Sequence, residues 1–382
     1  MLAILPLVAG CTFRVADVLA GTTIADDGGS SDAGADASVS PPTDGAPADI
    51  APVVALRKPI TVDNTKVNGP QTDFPLWIDL VDADLGAHAQ ANGQDIFFTA
   101  ADGTTNLDYQ IQSWDPSGHH LSAWVRVPML NDKMPTVLYL NYGDPSRASA
   151  PNPSGVFKSG FAAVWHLDDA LPASTIADAT GTHAGTPVIT TTTRVPAKLG
   201  SGFQFTGGTD TITFTNMLTG NQPHTISVWV SQPAVTHVSA VLVVGSPMNN
   251  QSRWFYPHYT SAALSIGFYA NDWVSTTNLD GAGWTLVHWV YEGNNNKSHL
   301  YVNGVEIPGS PNNLNNVNTQ GTTGIIGHAP EPAYGTNTGL QATIDELRIA
   351  TVVRSAGFIS TEFANQSSPG TFYAVGTEQP QP

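Results

Sequence analysis

Apolar and polar residues along this chain alternate with a period of two in many short runs, and turn-forming residues separate those runs. Leu121, Ala123, Val125 and Val127 interleave with Ser122, Trp124 and Arg126, as in a strand with one buried face. The runs 74–80 (FPLWIDL), 94–99 (QDIFFT), 107–114 (LDYQIQSW), 121–127 (LSAWVRV) and 136–142 (TVLYLNY) predict strands. Turns are expected at Asn92-Gly93, Asp102-Gly103 and Tyr142-Gly143-Asp144. After a polar, Pro-containing joint at 146–154, strands are predicted at 162–167, 202–205, 225–230, 240–245, 264–269, 284–291, 299–302 and 342–349. Asn303-Gly304 marks a two-residue hairpin, because both residues accept the positive φ of a type I′ turn. One helix is predicted, at 355–365, with Phe358, Ile359 and Phe363 near one face. The expected fold is all-β: a small β-sandwich over 56–147, then a larger sandwich over 155–378. The second span is long enough to bury its own core, so separable domains are expected.

Composition narrows the class. Only 12% of the 382 residues are charged, and 36 Gly and 28 Pro accompany them, as in turn-rich extracellular β proteins. The net charge of −17 gives phosphate backbones nothing to bind, so nucleic acid is excluded as a partner. The single cysteine, Cys11, rules out a disulfide framework. Beyond the N-terminus no apolar run approaches the ~20 residues of a membrane-spanning helix.

Residues 1–10 are apolar and end Leu7-Val8-Ala9-Gly10 before Cys11. This resembles the lipobox of bacterial lipoproteins, which implies cleavage before Cys11 and acylation of that residue, with 1–11 as the signal segment. A short apolar segment with an incidental cysteine is the alternative. Residues 12–55 read as an acidic, disordered linker. Between 17 and 55 there are seven Asp and no Lys, Arg or aromatic residue. Such a segment cannot bury enough apolar surface to offset its chain entropy, and its like charges extend it. The expected location is the cell envelope, as an outer-membrane lipoprotein or at the cell surface, or otherwise secretion. Membrane contact is expected only through the lipid.

The segments NGQDIFFTAADGTTNLDYQIQSWD (92–115), SAWVRVPML (122–130) and TVLYLNYGDPS (136–146) resemble the bacterial family called domain of unknown function 2341. That family has no established activity and often precedes a lectin-like sandwich. The pieces AVWHLDD (163–169), DATGTHAGT (178–186), GFQFTGGTDTITF (202–214), TISVWV (225–230), WTLVHWVYEG (284–293), LYVNGVEI (300–307) and IDELRIA (344–350) resemble the concanavalin A-like, laminin-G-like jelly roll. This second resemblance implies carbohydrate binding by analogy, and often a calcium ion. Its loop position is Asp178, with Asp168 and Asp345 as partners; a turn-capping role for Asp178 is the alternative.

Catalytic constellations are not recognised. Glycoside hydrolysis needs two carboxyl groups flanking one bond. Asp168-Asp169 and Asp345-Glu346 are adjacent in sequence, so a regular strand would aim their members oppositely. The expectation is a protein that is not an enzyme. Aromatic residues in polar surroundings are candidates for stacking on sugar rings: Trp254, Tyr256 and Tyr259 in SRWFYPHYT, Trp273 after Asn271-Asp272, and Tyr334 in a Gly/Pro/Asn-rich loop. Core packing or an inter-domain seam is the alternative for Trp254 and Trp273. Trp165, Trp229, Trp284 and Trp289 lie in apolar runs and are expected in the core. The leading function is an extracellular binding module for a glycan. The alternatives are a structural or adhesion protein that binds a cell-surface protein, or an accessory to a polysaccharide-processing or envelope-energising system.

Overall fold

Six strands and one short helix build the first sandwich: β1 (Leu56–Val62), β2 (Gln71–Val81), α1 (Ala83–His88), β3 (Phe97–Ala100), β4 (Tyr109–Asp115), β5 (His120–Leu130) and β6 (Thr136–Tyr142). The computed structural model describes residues 55–330 and 338–382; Cys11, the acidic linker and Tyr334 lie outside the described residues. Strands β2, β5 and β4 form one antiparallel sheet, and β1, β6 and β3 the other. Alternation explains the core: Leu76 and Ile78 of β2 and Leu121, Ala123 and Val125 of β5 meet Ile60, Phe98, Leu138 and Leu140. Asp82 caps α1 by accepting the Leu85 N–H, and the same carboxylate holds the Lys58 ammonium at 2.6 Å.

After α2 (Pro153–Val156) comes the larger sandwich. Its strands are β7 (Phe161–Trp165), β8 (Thr186–Val188), β9 (Thr193–Pro196), β10 (Ser201–Thr206), β11 (Thr211–Thr215), β12 (His224–Ser231), β13 (Leu242–Gly245) and β14 (Ser252–Tyr256). They continue with β15 (Ala263–Gly267), β16 (Asp272–Asn278), β17 (Trp284–Tyr291), β18 (Lys297–Val302), β19 (Val305–Glu306), β20 (Asn312–Asn313), β21 (Thr323–Ile326) and β22 (Gln341–Ala350). A nine-stranded sheet runs β19-β18-β17-β12-β22-β10-β9, with β7 on β22 and β20 on β18. A seven-stranded sheet runs β16-β15-β14-β13-β21-β11-β8. Between them lie Trp165, Phe203, Phe205, Ile226, Val228, Phe255, Ile266, Trp289 and Ile344. The expected hairpin forms at Asn303 and Gly304, with φ of 52° and 79°. Both sandwiches belong to one compact unit, Pro52–Pro382.

The last boundary differs from the expected 155–378. Beyond β22 the chain forms α3 (Ala356–Ser367), α4 (Pro369–Phe372), β23 (Tyr373–Val375) and β24 (Gln379–Pro380). Strands β23 and β24 pair with β1, and Phe358, Phe372 and Tyr373 sit in the core of the first sandwich. The first sandwich is therefore finished by the C-terminal tail. The physical reason is the open edge of β2, whose outward backbone groups need partners. At Pro75 no N–H exists to satisfy. At Trp77 the N–H is accepted by the Asn365 carboxamide oxygen at 2.7 Å, and the Asn365 amide donates to the Trp77 carbonyl at 3.0 Å. At Asp79 the Tyr373 hydroxyl accepts the N–H and donates to the carbonyl, at 2.8 and 2.9 Å. Two side chains thus replace a neighbouring strand.

Candidate functional site

The outer face of the seven-stranded sheet carries an aromatic row. On β14, Arg253 and Phe255 point into the molecule, so Trp254 and Tyr256 point outward. Their rings lie 5.8 Å apart and stacked; Tyr256 and Tyr259 are 5.2 Å apart, and Trp254 and Tyr269 5.6 Å. Trp254 donates its indole N–H to the Ser252 hydroxyl. The expectation of loop aromatics is corrected for three residues. Trp254 and Tyr256 are only 1% and 5% exposed, because Val238, Ala240 and Ala329 pack over them. Trp273 is 7% exposed and lies in the main core: β16 pairs it with Ile266, and strand alternation turns its ring inward. Sequence pattern missed both β14 and β16, since Arg, Asp and Ser interrupt their apolar residues. Of the residues expected in the core, Trp165, Trp229 and Trp289 are buried; Trp284 is partly buried against the junction of the two sandwiches.

The row ends at a cleft of about 750 Å³. Tyr259 lines it with His237, Thr236, His258, Ser261 and Asp280. Tyr259 is half-buried. His258 Nδ1 faces both carboxylate oxygens of Asp280, at 2.9 and 3.1 Å, which orients the imidazole at the cleft wall. His237 Nε2 meets the Gly339 carbonyl at 3.2 Å. Ser261 and Ala262 take left-handed φ of 62° and 60°, which bends the rim sharply after Tyr259. The cleft therefore offers an aromatic ring, hydroxyls and oriented imidazoles side by side.

The three carboxylates proposed for calcium do not assemble. Both oxygens of Asp178 are occupied by its own loop and by the backbone of β7. They accept the N–H groups of Val164, Thr180, Thr182 and His183 and the Thr180 hydroxyl, at 2.6 to 3.1 Å. This carboxylate fixes a turn. Among the described residues no group of three or more His, Cys, Asp or Glu is placed to hold a metal ion. The residues present do not fit calcium at this position.

Asp168 and Asp345 belong instead to the junction of the two sandwiches. A bulge in β22 offsets its pairing with β12 between Ser227 and Trp229, and Glu346 takes a φ of 54°. The extra residue puts Asp345 and Glu346 on the same side, against the expectation that adjacent residues point apart. Glu346 pairs with His166 at 2.6 Å and with Arg348 at 2.7 Å; Arg348 reaches Glu362 of α3 at 2.8 Å, and Glu362 meets His288 at 2.6 Å. The Arg348 guanidinium lies 4.3 Å from the ring of Trp124 in the first sandwich. Burial works against the Glu346 charge, but His166 and Arg348 outweigh it and hold its pKa low. Burial likewise opposes a charged His166, and Glu346 raises its pKa nonetheless. Asp345 has one donor, the Leu199 N–H at 2.7 Å, and its other oxygen has no partner. Burial, then repulsion from Glu346, push its pKa far above the carboxylate range. Asp345 is the neutral member and Glu346 the charged one.

Several solved structures are similar to this chain at low identity. Domain 4 of an extracellular arabinanase from Geobacillus stearothermophilus, in complex with arabinotriose, is 20% identical; the match covers 53% of this chain and 98% of that domain, with a TM-score of 0.41. Trypanosoma rangeli sialidase is 14% identical over 62% of this chain and 42% of its own, with a TM-score of 0.42. The binding domain of Paraclostridial Mosquitocidal Protein 1 is 13% identical over 54% and 52%, with a TM-score of 0.42. The chain thus spans less than half of the sialidase and about half of the mosquitocidal protein's binding domain. No curated protein matches. Residues 92–169 match the family described as a domain of unknown function, DUF2341, and residues 206–360 match the concanavalin A-like lectin/glucanases superfamily, the two matches following each other in the order read from the motifs.

Proposed function

We propose that this protein is a non-catalytic module that binds carbohydrate in the cleft beside Tyr259 and is displayed at the cell envelope. The observation that carries the reading is the aromatic row Trp254–Tyr256–Tyr259, which ends in a cleft with imidazole and hydroxyl groups at its wall. An aromatic face takes the apolar face of a sugar ring while neighbouring polar groups meet its hydroxyls. Trp254 and Tyr256 then serve as the packed base that holds Tyr259, not as contact surface. A binding role fits the acidic cluster as well: Asp345 and Glu346 are fully buried, so no substrate reaches them. Display at the envelope rests on the lipobox-like sequence ending at Cys11 and on the acidic linker after it.

A glycan array of the full chain tests this, with Tyr259→Ala as the variant. Retention on one or more glycans that falls at least about tenfold in the variant, with an unchanged melting temperature, is the expected result. Retention indifferent to Tyr259 would place the sugar elsewhere. A blank array from folded protein would favour a second reading, adhesion to another protein. That reading has its own observation: an apolar groove of about 340 Å³ on the first sandwich, where Met129 and Met134 are 50% and 61% exposed.

A further inference from the structure

The nine-stranded sheet has an outer face that the rest of the molecule covers only in part. Val164, Trp229 and Leu286 on that face are buried against Trp77, Trp124 and Phe157, and Phe363 of α3 packs there too. Past these residues, the ends of β10, β12 and β22 open into a cleft of about 500 Å³. Its floor is a set of uncharged polar side chains: Gln204, Thr206, Ser231, Gln341 and Thr343. Strand alternation puts them there, since Phe203, Phe205, Val230, Ala342 and Ile344 between them fill the core.

Register turns these residues into an ordered array. Ser231 lies opposite Thr343, and Thr343 opposite Gln204, so three adjacent strands contribute one row. Gln341 opposite Thr206 forms the next rung. Two strand spacings make the row roughly 10 Å long, the reach of two linked sugar rings. Thr206 shares a hydrogen bond with Thr191 at 2.8 Å. The side chains of Gln204, Ser231, Thr343 and Gln341 hydrogen-bond to no other described residue, although the Gln341 backbone is engaged at both its N–H and its carbonyl. Two carboxamides and two hydroxyls therefore present donors and acceptors together to the cleft.

The lining contains no Asp, Glu, Lys, Arg or His. An anion would find no cation there and a cation no carboxylate. An apolar ligand would strip water from at least four polar groups without replacing it. A hydroxyl-rich, uncharged ligand matches the array group for group. We propose that this ladder is a second saccharide site, taking a neutral oligosaccharide laid along the row from Ser231 to Gln204. It lies next to the Tyr259 cleft: loop 232–238 contributes Gln232 and Pro233 to the ladder side and Val235 to Val238 to the other. It is a separate site on a different sheet and stands or falls separately from the Tyr259 cleft.

Side-chain amide signals make the test direct. Neutral arabino-, xylo- and gluco-hexaoses, and a hexagalacturonate as the charged control, are titrated to millimolar concentration into the isotope-labelled full chain. The expected result is saturable movement of the Gln204 and Gln341 amide pairs with at least one neutral hexaose and none with the uronate. Gln204→Ala, an exposed position, is expected to weaken that binding roughly fivefold, one neutral hydrogen bond's worth, with the rest of the spectrum kept. The proposal is overturned if no neutral probe moves these two amide pairs, if the uronate moves them equally, or if Gln204→Ala leaves the affinity unchanged. Movement confined to the signals of His237, His258 and Tyr259 would overturn the ladder while sparing the first cleft; movement confined to the two glutamines would do the reverse.

Discussion

Replacing Asn365 by Ala should destabilise the whole molecule, because the side chain stands in for a missing strand. Its carboxamide satisfies both backbone groups of Trp77, at 2.7 and 3.0 Å, in a fully buried position. Alanine leaves an N–H and a C=O without partners, each costing about 1–3 kcal/mol when water cannot replace the bond. Some relaxation at the edge of β2 will recover part of this, so a loss of about 3 kcal/mol is expected. Guanidinium unfolding followed by tryptophan fluorescence measures it, since Trp77 and Trp124 lie 4.6 Å apart, tilted by 42°, beside the clasp. Asn365→Asp separates hydrogen bonding from packing. Aspartate keeps the acceptor for the Trp77 N–H but turns a second acceptor toward its carbonyl, and buries a charge. Burial raises the pKa of such a carboxyl. The variant should therefore be as weak as alanine at neutral pH and recover in acid, where the protonated carboxyl donates again. A loss below about 0.5 kcal/mol for Asn365→Ala, the range of an ordinary surface substitution, would refute the clasp.

Two further outcomes follow from the junction and the tail. Asp345 has a folded-state pKa raised far above its unfolded value, so its contribution to stability is full below the unfolded carboxylate range and is lost as pH rises toward the folded value. Asp345→Asn keeps an acceptor for the Leu199 N–H and removes the titration, so its advantage over wild type in unfolding free energy, read by guanidinium unfolding at each pH, should widen from pH 4 to pH 8, by up to about 1.4 kcal/mol per pH unit; a constant gap would contradict the assignment. Residues 56–154 alone should give a poorly dispersed spectrum, and a peptide covering 355–382 added in trans should restore it, because β23, β24, Phe358 and Phe372 complete that core. A well-dispersed spectrum without the peptide would show the tail to be dispensable.

Much of the fold was legible because a two-residue apolar period leaves little freedom. Strands β6, β12 and β17 span almost the residues predicted for them, β2 contains its predicted run and extends past it at both ends, and Ser355 caps the predicted helix by accepting the Phe358 N–H. What the pattern could not carry is partnership at long range. The boundary near 378 looked natural because 351–378 follows the last strand of the jelly roll directly in sequence, yet nothing local in Asn365 or Tyr373 says that each will saturate an edge residue nearly 300 positions earlier. Pro75 held part of the signal. A proline in an apolar strand marks an edge, and an edge that stays buried needs a cover.

The site was legible as composition but not as placement. Polar neighbours made Trp254 and Trp273 look like loop residues, but Arg253 and Asp272 are polar for reasons of their own. Arg253 is buried and donates to the Leu218 and Gln222 carbonyls and to His224. Asp272 sits at the solvent side of the outermost strand, β16. A buried arginine cannot be told from an exposed one by its letter, so hydrophobic alternation fails where a charge is satisfied inside. The same limit hid the ladder on the nine-stranded sheet. Ser231, Gln204 and Thr343 are unremarkable polar positions until β22, remote in sequence, pairs between β10 and β12 and aligns them across three strands. Binding surfaces of this kind are made by register, and register becomes visible only when the strands are paired.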